Sequence, residues 1–247
     1  MGYFSLDIKK AKGTSDTTQS DHIERKIIPK NADPTRTHLN RVLVEYPDGV
    51  HGRDEAIAHR LNTADIRRKI THDQVRVVRV VLSGTHEDMM YIQEKEKLDE
   101  WCNDSIQWLQ ATFGKDNVVA AHLHMDEATP HLHIDFIPFT TGSKRGLETR
   151  VSLKQALAAQ GFQGGSRGDT EWNQWVRSEK DQLSLVMQRH GIEWEKKDTH
   201  EKHLSVLDYK KEQRTKEIAA LETVKAEKES EVAEQEQRLS ELAPAGK

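Results

Sequence analysis

The chain has 247 residues, with 37 Lys and Arg against 41 Asp and Glu and a formal net charge of −4. Its longest apolar run, Val77 to Leu82, is broken by Arg79 and falls far short of the ~20 apolar residues that a membrane-spanning helix needs, and no stretch has the pattern of a secretory leader. One cysteine, Cys102, excludes a disulfide framework and a cysteine-built zinc site, which fits a reducing, cytoplasmic setting.

The elements follow from the apolar pattern. Tyr3–Ile8 alternates and is predicted to be a strand, with Lys9, Lys10 and Lys12 following it. His22–Ile28 is predicted as a short helix, His38–Tyr46 as a strand, and Asp54–Asn62 as a helix with Ala56, Ile57 and Leu61 inward. Gln74–Leu82 is Val-rich and predicts a buried strand. A long helix is then expected to run to Phe113, where Gly114 suits a stop. Val118–Met125 and His131–Phe139 predict two more strands, joined by the turn-rich Asp126–Pro130. Helices are expected near Ser152–Ala159 and from about Thr170 to His190. Beyond Thr199 the chain is highly charged, and Ile218, Leu221, Val232, Leu239 and Leu242 lie on a sparse heptad. The expectation is an α/β (α+β) domain over residues 1–198, with a central antiparallel sheet flanked by helices. A charged helical tail, 199–247, would offer the only seam for a homodimer.

Residues 1–86 carry 15 Lys and Arg against 11 Asp and Glu, whereas residues 216–241 carry 4 against 8. The net charge therefore conceals a basic N-terminal part in which a nucleic-acid site is possible but not demonstrated.

The densest chemistry lies between His122 and Asp135, in HLHMDEATPHLHID. Side chains two apart on a strand share a face, so His131 projects with His133 and His122 with His124. A hairpin about Asp126–Pro130 would bring His124 beside His131. Three imidazoles, from His124, His131 and His133, would then converge on a point and leave coordination positions open. Such a neutral shell leaves the full charge of a divalent ion free to polarise an anionic oxygen. His122 sits one pair further along and is left outside the set.

The segment HMDEATPHLH resembles the signature of the Mob/Pre plasmid mobilisation proteins, the MobV class of relaxases. They belong to the endonucleases named for a His-hydrophobic-His pair, here His131-Leu132-His133. The likeness extends to the opening YFSLDIKKAKG, to His22-Ile23-Glu24-Arg25 and to Thr37-His38-Leu39-Asn40, and it covers roughly residues 3–195. It implies a relaxase, an enzyme that nicks one DNA strand at an origin of transfer, stays attached to the 5′ phosphate and rejoins the ends. It also implies that His124, His131 and His133 hold manganese or magnesium. Imidazole ligands suit manganese better. Glu127 would orient or deprotonate the nucleophile.

Related relaxases mostly attack with tyrosine, and MobV members resemble users of histidine. Arg41 stands where family members often have a tyrosine, while His22 keeps its family context. An imidazole is largely neutral at cytoplasmic pH and can form a reversible phosphoramidate. On a helix over His22–Ile28, Arg25 would share a face with His22 and could steady the phosphate. Lys9, Lys10, Lys12, Lys26 and Arg36 surround this element as candidate contacts to DNA phosphates. Two other readings stay open: a replication initiator that nicks a replication origin, and a non-catalytic DNA-binding or dimerisation protein with a structural metal. A closed shell of four protein ligands would favour the last.

Overall fold

The structure is a computed structural model that describes residues 4–13, 16–64, 66, 69–141, 149–192 and 206–242. The chain separates into two units, residues 1–196 and 197–247. The expected boundary at 198/199 lies outside the described residues.

The first unit is built on a five-stranded sheet in the order β1-β3-β5-β4-β2, antiparallel throughout. The strands are β1 (Ser5–Lys12), β2 (Arg41–Val42), β3 (Val75–Ser83), β4 (Val118–His124) and β5 (His131–Phe136). A separate ribbon pairs β6 (Phe139–Thr141) with β7 (Thr149–Val151). This is the central antiparallel sheet expected from the sequence, with the histidine hairpin β4–β5 occupying its middle.

The two faces of the sheet differ in kind. Val78, Val80, Leu82, Leu132, Ile134 and Phe136 are buried on one side. They join the main core with α3 (His86–Glu94), α4 (Leu98–Phe113), α5 (Leu153–Ala159) and α6 (Glu171–Arg189). Trp101 and Trp175, both fully buried, are its largest members. Residues opposed across antiparallel strands share a face. The register therefore aligns Asp7, Val81, His133 and His122 in one row of the other face, and Lys9, Arg79 and Asp135 in the next. Two helices, α1 (Thr17–Ile23) and α2 (Arg53–Thr63), bond to this polar face.

Several elements differ from the sequence expectation. Strand β1 continues through Lys12, so the three lysines lie on the strand and alternate between its faces. The helix expected over His22–Ile28 is instead Thr17–Ile23, because Arg25 takes the left-handed conformation, φ 58, and turns the chain out of the helix. The strand expected over His38–Tyr46 shrinks to Arg41–Val42 behind a 3₁₀ turn, Thr37–Leu39. There the Asn40 side chain donates to Asp126 and accepts from the Met125 backbone, which fixes a bend. The single long helix ending at Phe113 is two, with Glu96 at φ 57 between them and Thr85 capping α3. In the second unit α7 spans Val206–Leu242, and its Ile218, Leu221 and Val232 are exposed.

A helix of seven residues such as α1 is too short to persist by itself. It is held by Arg53, the first residue of α2, whose side chain has no solvent exposure. Its Nε and Nη2 donate to the two carboxylate oxygens of Asp135 at 2.8 and 2.5 Å. Nη1 donates to Ser20 Oγ at 3.0 Å, and Nη2 also reaches Asp16 Oδ2 at 2.9 Å. One guanidinium thus joins α1 and α2 to β5. Removing one partner of a buried ion pair costs about 3–5 kcal/mol, whereas an exposed pair contributes about 0–1 kcal/mol. Urea unfolding should therefore show Asp135→Ala destabilised by about 3–5 kcal/mol, and Asp99→Ala, which breaks the exposed Arg41–Asp99 pair, changed by less than about 1 kcal/mol. Equal, small effects would show that the Arg53 bridge is not what holds α1.

Candidate functional site

The tight pairing of β4 and β5 sets His122 opposite His133 and His124 opposite His131. One nitrogen from each of His124, His131 and His133 lies within 4.8 Å of the others. The ring centres are 4.5–5.1 Å apart. His122 is on the same face, but its Nε2 pairs with the Tyr46 hydroxyl at 3.0 Å. The set is three histidines, not four.

The partners of the rings fix their tautomers. A carbonyl oxygen can only accept, so His124 Nε2, 2.8 Å from Ile23 O, carries a proton, and so does His131 Nδ1, 3.0 Å from Thr129 O. In their neutral forms these rings turn the lone pairs of His124 Nδ1 and His131 Nε2 toward each other at 3.2 Å, and His124 Nδ1 also takes an N–H from Arg25 Nη2 at 3.0 Å. His133 Nε2 is buried and has no hydrogen-bond partner among the described residues. Converging acceptors with no proton to share are unfavourable until a cation lies among them. Adjacent octahedral ligands about 2.1 Å from a divalent ion stand about 3 Å apart, close to the 3.2 Å between His124 Nδ1 and His131 Nε2. The backbone carbonyls behind His124 and His131 supply the orienting contacts usual for metal-bound imidazoles.

A cationic side chain crosses the rim of this cluster. Arg25 donates through Nε and Nη2 to the two carboxylate oxygens of Asp126 at 2.9 and 2.8 Å. Nη2 also reaches Glu127 Oε1 at 2.9 Å and His124 Nδ1 at 3.0 Å, and Nη1 donates to the His22 carbonyl at 3.0 Å. His22 and Arg25 meet at the site, but not as two side chains on one helix face. The helix has ended, and the left-handed turn at Arg25 swings the guanidinium inward. Burial would raise the Asp126 carboxyl, yet hydrogen bonds from Arg25, Asn40 and Thr37 and the guanidinium charge hold it well below the usual carboxylate range. Glu127 is held by Arg25 and by Asn31 Nδ2, 2.5 Å from Oε2. His22 is half-buried, and its protonation is lowered by burial and then by Arg25, which keeps the ring neutral.

The basic residues separate. Lys9 lies on the histidine face and pairs with Asp7, while Lys12 is exposed at the strand end. Lys10 points to the opposite face, with its ammonium 4.2 Å from the centre of the Trp172 ring. Lys26 is exposed and pairs with Glu24, and Arg36 begins the 3₁₀ turn. Asp126, Asn40, Asn31 and the Tyr46–His122 pair were not among the expected site residues. Asp126 was the most accessible of these, being an acid two residues beyond a metal histidine. Asn31, Asn40 and Tyr46 enter from irregular chain whose course no periodicity encodes, whereas His122 lies on β4.

A central antiparallel sheet that presents a three-histidine hairpin, with a further histidine delivered by a short helix, defines the scaffold class. The family model described as plasmid recombination enzyme, Mob/Pre, matches residues 1–211, and the chain belongs to that family. The plasmid recombination enzyme type 3 of Staphylococcus aureus is 28% identical over 165 residues, 64% of this chain and 39% of that protein. The plasmid recombination enzyme of Streptococcus agalactiae is 24% identical over 192 residues, 74% of this chain and 33% of that one. The chain thus spans well under half the length of these relatives. A crystal structure of the MobM relaxase domain, manganese-bound and in complex with origin DNA of plasmid pMV158, shares the fold. It has a TM-score of 0.65 and 22% identity, covering 85% of this chain and 99% of that chain.

Protonation of His124 is driven down to about 3 by burial first and then by His131 and Arg25, and that of His133 falls well below its ordinary value for burial and its histidine neighbours. A histidine whose folded value is depressed leaves the unfolded chain binding more protons below about pH 6.5. Stability is therefore retained above that pH and lost as pH falls below it. For metal-free protein, the urea midpoint should drop steadily from pH 7 to pH 5, each of the two histidines contributing up to about 2 kcal/mol. His124→Gln should flatten the slope. A midpoint independent of pH over this interval would show that these rings are not held neutral by the fold.

Proposed function

We infer that this chain is a metal-dependent DNA relaxase, which nicks one strand at an origin of transfer, retains the 5′ phosphate through His22, and rejoins the ends during mobilisation or recombination of a plasmid or transposon. The observation that carries this reading is the cluster of converging imidazole nitrogens of His124, His131 and His133, faced by Arg25 and His22. The family membership supports it, as do the printed descriptions of the relatives as plasmid recombination enzymes and of the structural neighbour as a relaxase domain with manganese and origin DNA. A three-histidine shell favours the enzyme over a closed structural site. The buried Cys102 thiol, pushed up to about 12 by burial, is not poised to react.

In this reading His124, His131 and His133 would hold manganese or magnesium, which would supply positive charge beside the phosphate. The unprotonated nitrogen of His22 attacks phosphorus. The N–P bond forms as the P–O3′ bond breaks, and the electron pair leaves with the 3′ oxygen. Glu127 takes the ring proton and passes it to the 3′ oxygen, giving a phosphoramidate with an uncharged ring and one negative charge on its phosphoryl oxygens, and the 3′ hydroxyl reverses the step on rejoining. Arg25 neutralises phosphate charge with a bidentate-capable guanidinium. Lys9, Lys12, Lys26 and Arg36 would contact phosphates along the strand. Lys10 is set aside because its ammonium is occupied by Trp172. Tyr46 is disfavoured as nucleophile: its hydroxyl is engaged by His122, and burial raises its titration. The exposed Ile218, Leu221 and Val232 suit a homodimer through the tail.

The covalent bond tests the nucleophile. Incubation with candidate origins and manganese should yield an acid-labile, base-stable protein–DNA adduct on the peptide containing His22, and His22→Ala should form none. An adduct on any tyrosine would end the histidine mechanism. Calorimetry should find His131→Ala folded but without measurable manganese binding, and retained affinity would remove His131 from the shell. A chain ending at Lys197 should still nick yet sediment as a monomer under conditions where the full chain is a dimer. Unfolding of that shorter chain would make the tail part of the domain.

A further inference from the structure

A cavity of about 400 Å³ opens beside the histidine cluster and shares Arg25 and His124 with it. Its volume lies within the ~300–1,000 Å³ of pockets that take small organic groups. Two cationic side chains, Lys26 and Arg41, stand at it, paired with Glu24, which also lines it, and with Asp99, carboxylates that a strand phosphate would replace. Tyr46 and His122 form its ring-bearing wall, their planes tilted by 52° with centres 6.3 Å apart. His122 is only 4% exposed, yet its Nδ1 has no hydrogen-bond partner among the described residues. A hydroxyl offers one donor and two acceptor sites, and the bond to His122 uses one of them at Tyr46.

These features suit one kind of occupant. A phosphate alone would not need an aromatic wall, and a purely apolar ligand would leave the Tyr46 hydroxyl unused. An unpaired nucleobase presents a π face and a hydrogen-bonding edge together, and it arrives on a backbone whose phosphates match the cationic rim. Because the cavity adjoins the metal cluster, a strand whose scissile phosphate lies at His124 and Arg25 has a neighbouring nucleotide beside the Tyr46 wall. We propose that the Tyr46–His122 cavity receives the base of an unpaired nucleotide adjacent to the scissile phosphate, stacked on Tyr46 and hydrogen-bonded to its hydroxyl. This rests on the relaxase reading above. It assigns Tyr46 and His122 to gripping and selecting a base, beside the bond-breaking groups.

Two polymers separate base from backbone: a single-stranded dT15 and a fifteen-unit abasic strand. Binding of each is followed by fluorescence anisotropy to the full chain in a chelator, so that no chemistry occurs. Losing one aromatic–base stack weakens single-strand binding by roughly tenfold. Tyr46→Ala should lose about that factor on dT15 and almost nothing on the abasic strand. Tyr46→Phe, which keeps the ring, should lose less. An equal loss on both strands, or none on either, would overturn the proposal. Should Tyr46→Ala fail to fold, irradiation of wild-type protein with a 5-iododeoxyuridine 15-mer decides the matter. A crosslink on the peptide holding Tyr46, His51 or His122 supports the pocket, and crosslinks confined to other peptides refute it. Failure to nick any origin would sink the relaxase reading while leaving these binding ratios standing. Normal nicking with equal ratios would sink the pocket alone.

Discussion

The buried guanidinium of Arg53 is the constraint on which the rest of the site depends. From α2, four of its bonds end on two elements that the chain makes far apart: Asp16 and Ser20 at α1, and both oxygens of Asp135 on β5. Asp135 lies two residues beyond His133 on the same strand, and so on the same face. The strand that orients two imidazoles therefore also anchors the helix that carries His22. A fixed relation between His22 and the histidine cluster follows from one planar fork meeting one carboxylate, a geometry that lysine does not reproduce. Buried ion pairs of this kind contribute little net stability over an apolar pair, and their value here is orientation.

The elements that were legible are those in which burial and period agree. β3 reads as Val-rich because both its faces are covered, and α6 shows a clear apolar stripe because one side meets the core. β2 was overestimated for the opposite reason. The apolar residues Leu43 and Val44 pack against the core from irregular chain, held there by backbone and Asn40 bonds that leave no periodic trace. The break between α3 and α4 is similarly silent, since Glu96 adopts a left-handed conformation with a residue type ordinary in helices. The β6–β7 ribbon has strands of three residues, too short for an alternation to register.

At the site, the histidine triad was readable because strand alternation converts sequence spacing directly into a shared face. The contacts of Arg25 were not. Spacing from His22 suggested a common helix, whereas the observed bonds to Asp126 and Glu127 span about a hundred residues and depend on a backbone turn. Arg53 and Asp135 were hidden for a related reason. An isolated arginine at a helix start and an aspartate in an apolar strand look unremarkable until the fold sets them together.

The lone pair of His124 Nδ1 is single, and Arg25 Nη2 already occupies it at 3.0 Å. A guanidinium N–H and a divalent ion cannot both use that nitrogen. Retention of Arg25 in this position and occupancy of the three-histidine cluster are therefore competing equilibria. An anion that draws the guanidinium outward, as a phosphate does, relieves the competition. Under the proposed function, DNA and cation would then strengthen one another's binding through Arg25, and reciprocity requires the enhancement to be the same whichever binds first. The protein would thus hold its cation weakly at rest and firmly once a strand has arrived.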